Sequence, residues 1–133
     1  MADTVDTLTL LDNGIHHHIR ITNESDGTGE SAVVKIDMSG ITAFGNEVIK
    51  AVDVDRIFGM VGGFNYVVLE WDASTNDEIV VLAPGTFDFD FRDQGGLRNP
   101  LSASATGDIQ LTTDGAIDGA AYTITIEGRI RNE

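Results

Sequence analysis

Cysteine is absent from the chain, proline occurs twice, and basic residues number 8 against 22 acidic ones. Without cysteine there are no disulfides, thiolate nucleophiles or cysteine metal sites, so stability must come from packing and hydrogen bonds. No stretch approaches the roughly twenty consecutive apolar residues that a spanning helix needs. The start, MADTVDTL, has neither the basic opening nor the apolar run of a secretory signal, so a soluble, non-exported chain is expected. The formal net charge is −14, and the few Lys and Arg are scattered rather than clustered. Binding to a nucleic-acid backbone depends on counterion release by clustered cations, so nucleic acid and anionic membranes are disfavoured as partners. Such acidity keeps copies apart until salt screens them, or suits a basic partner surface.

What is present is mostly β pattern. At 133 residues one domain is expected, burying roughly two-thirds of its unfolded surface. Ile15, His17, Ile19 and Ile21 fall on one side of a period-two alternation, with His16, His18, Arg20 and Thr22 on the other. Val34, Ile36 and Met38 then oppose Val33, Lys35 and Asp37. Between these strands, Gly27 and Gly29 give backbone freedom, while Asn23, Ser25, Asp26, Thr28 and Ser31 can form Asx and Ser/Thr turns.

Further on, Asp53 to Val61 and Phe64 to Asp72 flank Gly62 and Gly63, a spacing that predicts a tight hairpin. Glu78 to Ala83 is a short apolar run closed by a turn at Pro84 and Gly85. Phe87, Phe89 and Phe91 alternate with Thr86, Asp88, Asp90 and Arg92, so three phenyl rings are expected in the core. Ile109 and Leu111 mark another strand. The last carries Tyr122, Ile124, Ile126 and Ile130 on one face, with Gly128 marking a bulge or a close backbone approach. Asn46 to Val52 reads as a short helix, although its β-branched residues also suit a strand.

The expected fold is all-β: an antiparallel β-sandwich, jelly-roll-like, with at most one short helix. Residues 15–133 form the domain. Residues 1–14, with Leu8 and Leu10, form an N-terminal extension or arm that pairs at an edge or reaches a neighbour.

Sites for chemistry are sparse. On a strand His16 and His18 share a face, supplying two metal ligands and leaving a tetrahedral site incomplete unless copies meet on a symmetry axis. A polar stripe is the simpler reading, with His17 a partly buried core residue. Asp26, Thr28 and Glu30 superficially resemble a calcium loop but supply too few ligands. Asp114 and Asp118 read as turn formers. No nucleophile elbow, phosphate loop or dinucleotide fingerprint is present, so neither catalysis nor a cofactor is expected. Trp71 is either a sugar-stacking platform or, more simply, core.

Six segments in order, HHIRITN, SDGTGESAVVKID, VVLEWDA, FRDQGGLRNP, GDIQLTT and AAYTITIEGRIR, resemble a group of small virion structural proteins of tailed bacteriophages. The resemblance covers roughly Ile19 to Arg131 and leaves out the leader. It implies a non-enzymatic building block of a particle, assembled in the host cytoplasm, with the major capsid protein or other virion proteins as partners. A homo-oligomer is implied too, a trimer being one arrangement. The expected role is a decoration or cement protein on the outer capsid surface, with a neck, tail or fibre position as the alternative. The rival of another class is a carbohydrate-binding module using Trp71 and acidic loops with calcium. Contact surfaces are expected at the leader (Leu8, Leu10), at the loop with Asp26, Thr28 and Glu30, and at the loop Gly95 to Pro100 with Leu97 and Arg98.

Overall fold

The structure, a computed structural model, describes residues 4–41 and 49–132. Among these described residues nine strands, β1 (Thr4–Asp12), β2 (His16–Asp26), β3 (Val33–Ile36), β4 (Ile49–Gly62), β5 (Tyr66–Trp71), β6 (Asp77–Leu82), β7 (Gly85–Asp90), β8 (Ile109–Asp114) and β9 (Asp118–Asn132), make two antiparallel sheets. The five-stranded sheet has the order β1-β2-β9-β4-β7, and the four-stranded sheet β3-β8-β5-β6. The connections β2 to β3, β4 to β5, β6 to β7 and β8 to β9 each pass from one sheet to the other. Eight strands thus form two opposed sets of four, the jelly-roll arrangement, and β1 is left as an extra edge strand. Outside the strands, the described helical structure is two three-residue 3₁₀ turns, Met38–Gly40 and Arg92–Gln94.

The core lies between the sheets. Ile19 and Ile21 from β2, Ile57 from β4 and Ile124 and Ile126 from β9 meet Val67 and Leu69 from β5 and Ile109 and Leu111 from β8, all at most 1% exposed. Period-two alternation in β2 and β9 places their isoleucines on the same face, and the register Ile19↔Ile126, Ile21↔Ile124 aligns them. Trp71 is core as well, at 4% exposure.

Four expectations are corrected. The hairpin across Gly62 and Gly63 does not form, because β4 and β5 lie in different sheets. The chain turns at Gly63 (φ +85°) and plugs the sandwich with Phe64, 3% exposed and 6.0 Å from the Tyr122 ring. Burying Phe64 takes the chain across the sandwich, whereas a hairpin would keep both strands on one layer.

Ile49 to Val52, expected in a helix, open β4 and pair with the end of β9 through Ile49↔Asn132, Ala51↔Arg131 and Val52↔Ile130; residues 46–48 lie outside the described residues. Register shifts at Ile49/Ala51 and Val54/Arg56 leave Ala51, Val52, Asp53 and Val54 all buried, which erases the period-two signal.

The phenyl rings of Phe87, Phe89 and Phe91 are not enclosed. They line edge strand β7, where Phe89 is 38% exposed and the other two are half-buried. They stack on one another at 6.0 and 6.5 Å. Alternation identifies the face they share, not their distance from the middle of the sheet.

In β3, Lys35 was expected to point outward. A shift between Val34 and Ile36 turns it inward, and its side chain is 2% exposed.

The expected close approach at Gly128 is present. A Cβ there would lie 2.4 Å from Val52 Cγ1, opposite the β4 bulge.

Candidate functional site: an open edge strand and two loops

β1 pairs with β2 along its length, from Thr4↔Glu24 to Asp12↔His17, with a register shift between Thr9 and Leu11. Among the described residues, no strand pairs with its other edge, and the four-stranded sheet has none opposite it. Every side chain from Val5 to Leu11 is exposed, whichever face it points to. Val5, Leu8, Leu10 and Leu11 stand 42%, 44%, 49% and 38% exposed. A row of unpaired backbone amides and carbonyls flanked by apolar side chains is a template for pairing with another strand. The leader therefore belongs to the domain as its edge, with its apolar side chains exposed.

The loop after β2 is held by its own polar groups, as its sequence leads one to expect. The Thr28 amide and hydroxyl both donate to Asp26 Oδ1, at 3.1 and 2.7 Å. Ser25 Oγ donates to the Thr28 carbonyl at 2.9 Å and accepts from the Gly27 amide at 3.1 Å. Thr28 is exposed and Asp26 half-exposed, so both remain at the surface.

Glu30 is corrected from contact residue to core residue, at 7% exposure. Its Oε1 accepts from Asn23 Nδ2 at 2.7 Å and Tyr122 Oη at 2.5 Å, and its Oε2 pairs with Lys35 Nζ at 2.6 Å. A buried carboxylate is costly unless paired and hydrogen-bonded, and here both oxygens are occupied. This cluster was missed in the sequence. A signal existed: Asn23 and Tyr122 sit on the inward parity of their strands, so two polar groups had to find a partner between the sheets.

Residues 95–100 are strapped to the far end of the five-stranded sheet. Leu97 exchanges two backbone hydrogen bonds with Val54, at 2.9 and 2.6 Å, and is half-buried. The Asn99 amide donates to Asp53 Oδ1 at 2.9 Å, and Arg131 Nη2 donates to the Asn99 carbonyl at 2.7 Å. Arg98 is exposed. The loop at Asp26 lies beside Asp118, whereas residues 95–100 lie beside Arg129 and Arg131. Those positions on β9 are on the order of 40 Å apart at the usual strand rise. The two loops therefore form separate surfaces.

The His16 and His18 rings lie 5.8 Å apart and tilted. Among the described residues, no group of three or more His, Cys, Asp or Glu is arranged to hold a metal. His17 is 6% exposed, its Nδ1 3.6 Å from Asp12. An open groove of about 600 Å³ beside residues 101–106 is lined, among the described residues, by Lys50, Ser102, Ser104 and Thr106 together with apolar side chains. The Arg56 and Arg92 guanidiniums grip Asp88 and Asp90 and hold both carboxyls below their usual range. These pairs are exposed and tie down the rim of β7.

Asp108 is displaced in the opposite direction. Burial pushes its carboxyl above the usual range, the Met38 amide opposes this, and Asp37 and Asp72 add to it. A carboxyl raised in the folded state contributes stability below its unfolded value of about 3.8, and the contribution is lost as pH rises through the folded value. Asp108→Asn, which keeps an oxygen for the Met38 amide, should therefore raise the urea midpoint at pH 7 and leave it unchanged near pH 3. A lower midpoint at pH 7 would contradict this.

Comparison of the chain with family models, with curated proteins and with solved structures gives no match.

Proposed function

We propose that the protein is a non-enzymatic structural component of a tailed-bacteriophage virion, seated on the outer capsid face as a decoration protein that stabilises junctions between capsomers. The observation that carries this reading is β1, an exposed apolar edge strand built to add to a neighbour. Three further facts support it. The ordered segments from HHIRITN to AAYTITIEGRIR resemble small virion proteins. The excess of 22 acidic over 8 basic residues suits the outside of a shell better than its DNA-facing interior. Jelly rolls serve in capsids and in lectins alike, so the fold adds only an analogy. Against the carbohydrate-binding alternative, Trp71 is buried at 4% exposure and offers no stacking face.

Contacts of standard size, roughly 1,600 Å², are modest singly but gain avidity when symmetric copies engage together. The partner is the major capsid protein or another virion protein. To test this, purified protein is mixed with particles made without it, and the particles are sedimented. Saturable binding at a fixed copy ratio, lost on deleting residues 1–12, is expected. Failure to bind either shells or tails would remove the proposal, while binding to tails alone would move the protein to the neck, tail or fibre.

A further inference from the structure

Cross-strand partners share a face of a sheet, so the outer face of the four-stranded sheet can be read row by row. Gln110, Glu70 and Glu78 form one row, Thr112, Val68 and Val81 the next, and Tyr66 and Asp114 a third. The Thr112 hydroxyl donates to Glu70 Oε1 at 3.1 Å, which ties two of the rows together. Val81 and Tyr66 stand 48% and 39% exposed on either side of Val68, and exposed apolar side chains gathered on one face mark an interaction surface. The charge around them has one sign. Glu70, Glu78 and Asp114 border the patch, and Lys35, the sheet's one basic residue, is buried against Glu30. The other seven Lys and Arg lie in β2, β4 and β9 or in residues 92–98. A register shift at Leu69/Glu70 sets Glu70 directly against Glu78, where regular pairing would have put Ile79. Like charges directly opposite destabilise a sheet, and among the described residues no cation answers these two.

We propose that this face docks a basic protein surface, one that sets a lysine or arginine between Glu70 and Glu78 and lays apolar side chains on Tyr66, Val68 and Val81. A cation in that position turns a repulsion within the free chain into two attractions in the complex. The face belongs to the sheet that β1 does not join, so the proposal stands or falls apart from the seat proposed for β1.

NMR of the full chain tests it, with an amphipathic helical peptide of lysine and leucine as the probe and its counterpart of glutamate and leucine as the control. A helix has no free strand edge and so cannot add to β1. The lysine peptide should bind saturably and shift the signals of Tyr66, Val68 and Val81, and the glutamate peptide should not bind. Glu78→Lys should weaken binding by about tenfold or more, because like charges then meet at the contact. The same substitution should raise the urea midpoint of the free protein, since it replaces a repulsive pair by an attractive one. Val81 is exposed, so Val81→Ser should keep wild-type melting behaviour and still weaken binding. Glu24→Lys makes the same change of charge on the outer face of the five-stranded sheet. It should leave the affinity within about twofold at 0.1 M salt, where the Debye length is about 10 Å. Equal losses from Glu24→Lys and Glu78→Lys would reduce the attraction to net charge and overturn the proposal. So would absence of saturable binding, shifts confined to other surfaces, or association of the chain with itself through this face.

Discussion

Lys35→Met should destabilise the protein by about 3–5 kcal/mol, a large share of the roughly 5–15 kcal/mol available to a domain. Lys35 Nζ lies 2.6 Å from Glu30 Oε2, and the two side chains are 2% and 6% exposed. Methionine fills similar space but leaves the Glu30 carboxylate in the core with only Asn23 and Tyr122 as donors. The cost is therefore that of an uncompensated buried charge, which exceeds the net worth of the pair. Adding Glu30→Gln to Lys35→Met removes that charge and should recover most of the loss. A double-mutant cycle from urea unfolding measures both effects. A loss below about 1 kcal/mol in the single variant would show that Glu30 is not buried as described.

Gly59→Ala should be comparably severe, on the order of 3–5 kcal/mol. Gly59 has φ +148°, and a Cβ there would sit 2.0 Å from the Thr123 carbonyl oxygen. That oxygen belongs to β9, the strand that β4 pairs with over its whole length, so relief would require breaking the ladder at the centre of the sheet. Gly62, in the same strand, has open space around it. Gly62→Ala should stay within about 0.5 kcal/mol, the range of ordinary surface changes. Equal urea midpoints for the two variants would contradict this account of β4.

The sequence reveals individual strands better than it reveals their neighbours. β2, β8 and β9 are legible because their isoleucines and leucines recur with period two on a buried face, Ile19 and Ile21, Ile109 and Leu111, Ile124 and Ile126. β4 is half legible: the register shifts at Ile49/Ala51 and Val54/Arg56 change its phase, and no fixed period spans it. The partner of β5 is hidden for another reason. A glycine pair suits a tight hairpin, yet Phe64 gains more by sealing the sandwich, and that tertiary gain overrides the local turn. Phe87, Phe89 and Phe91 give a clean alternation on a strand that happens to be an edge.

The contact surfaces show the same division. Asp26 and Thr28 form the turn their residue types suggest. Glu30, two residues on, is drawn into the core by Lys35, whose inward turn depends on a bulge in β3 that no residue type announces. Leu8 and Leu10 are exposed as expected of a leader, but their significance comes from topology. Eight strands oppose one another in two sets of four, and among the described residues no strand lies across from β1.

A density map of intact particles tests the central claim most directly. The account predicts a jelly-roll density on the outer capsid surface, seated between capsomers, with acidic surfaces toward solvent. Density for the chain inside the shell, or none on the particle at all, would contradict it.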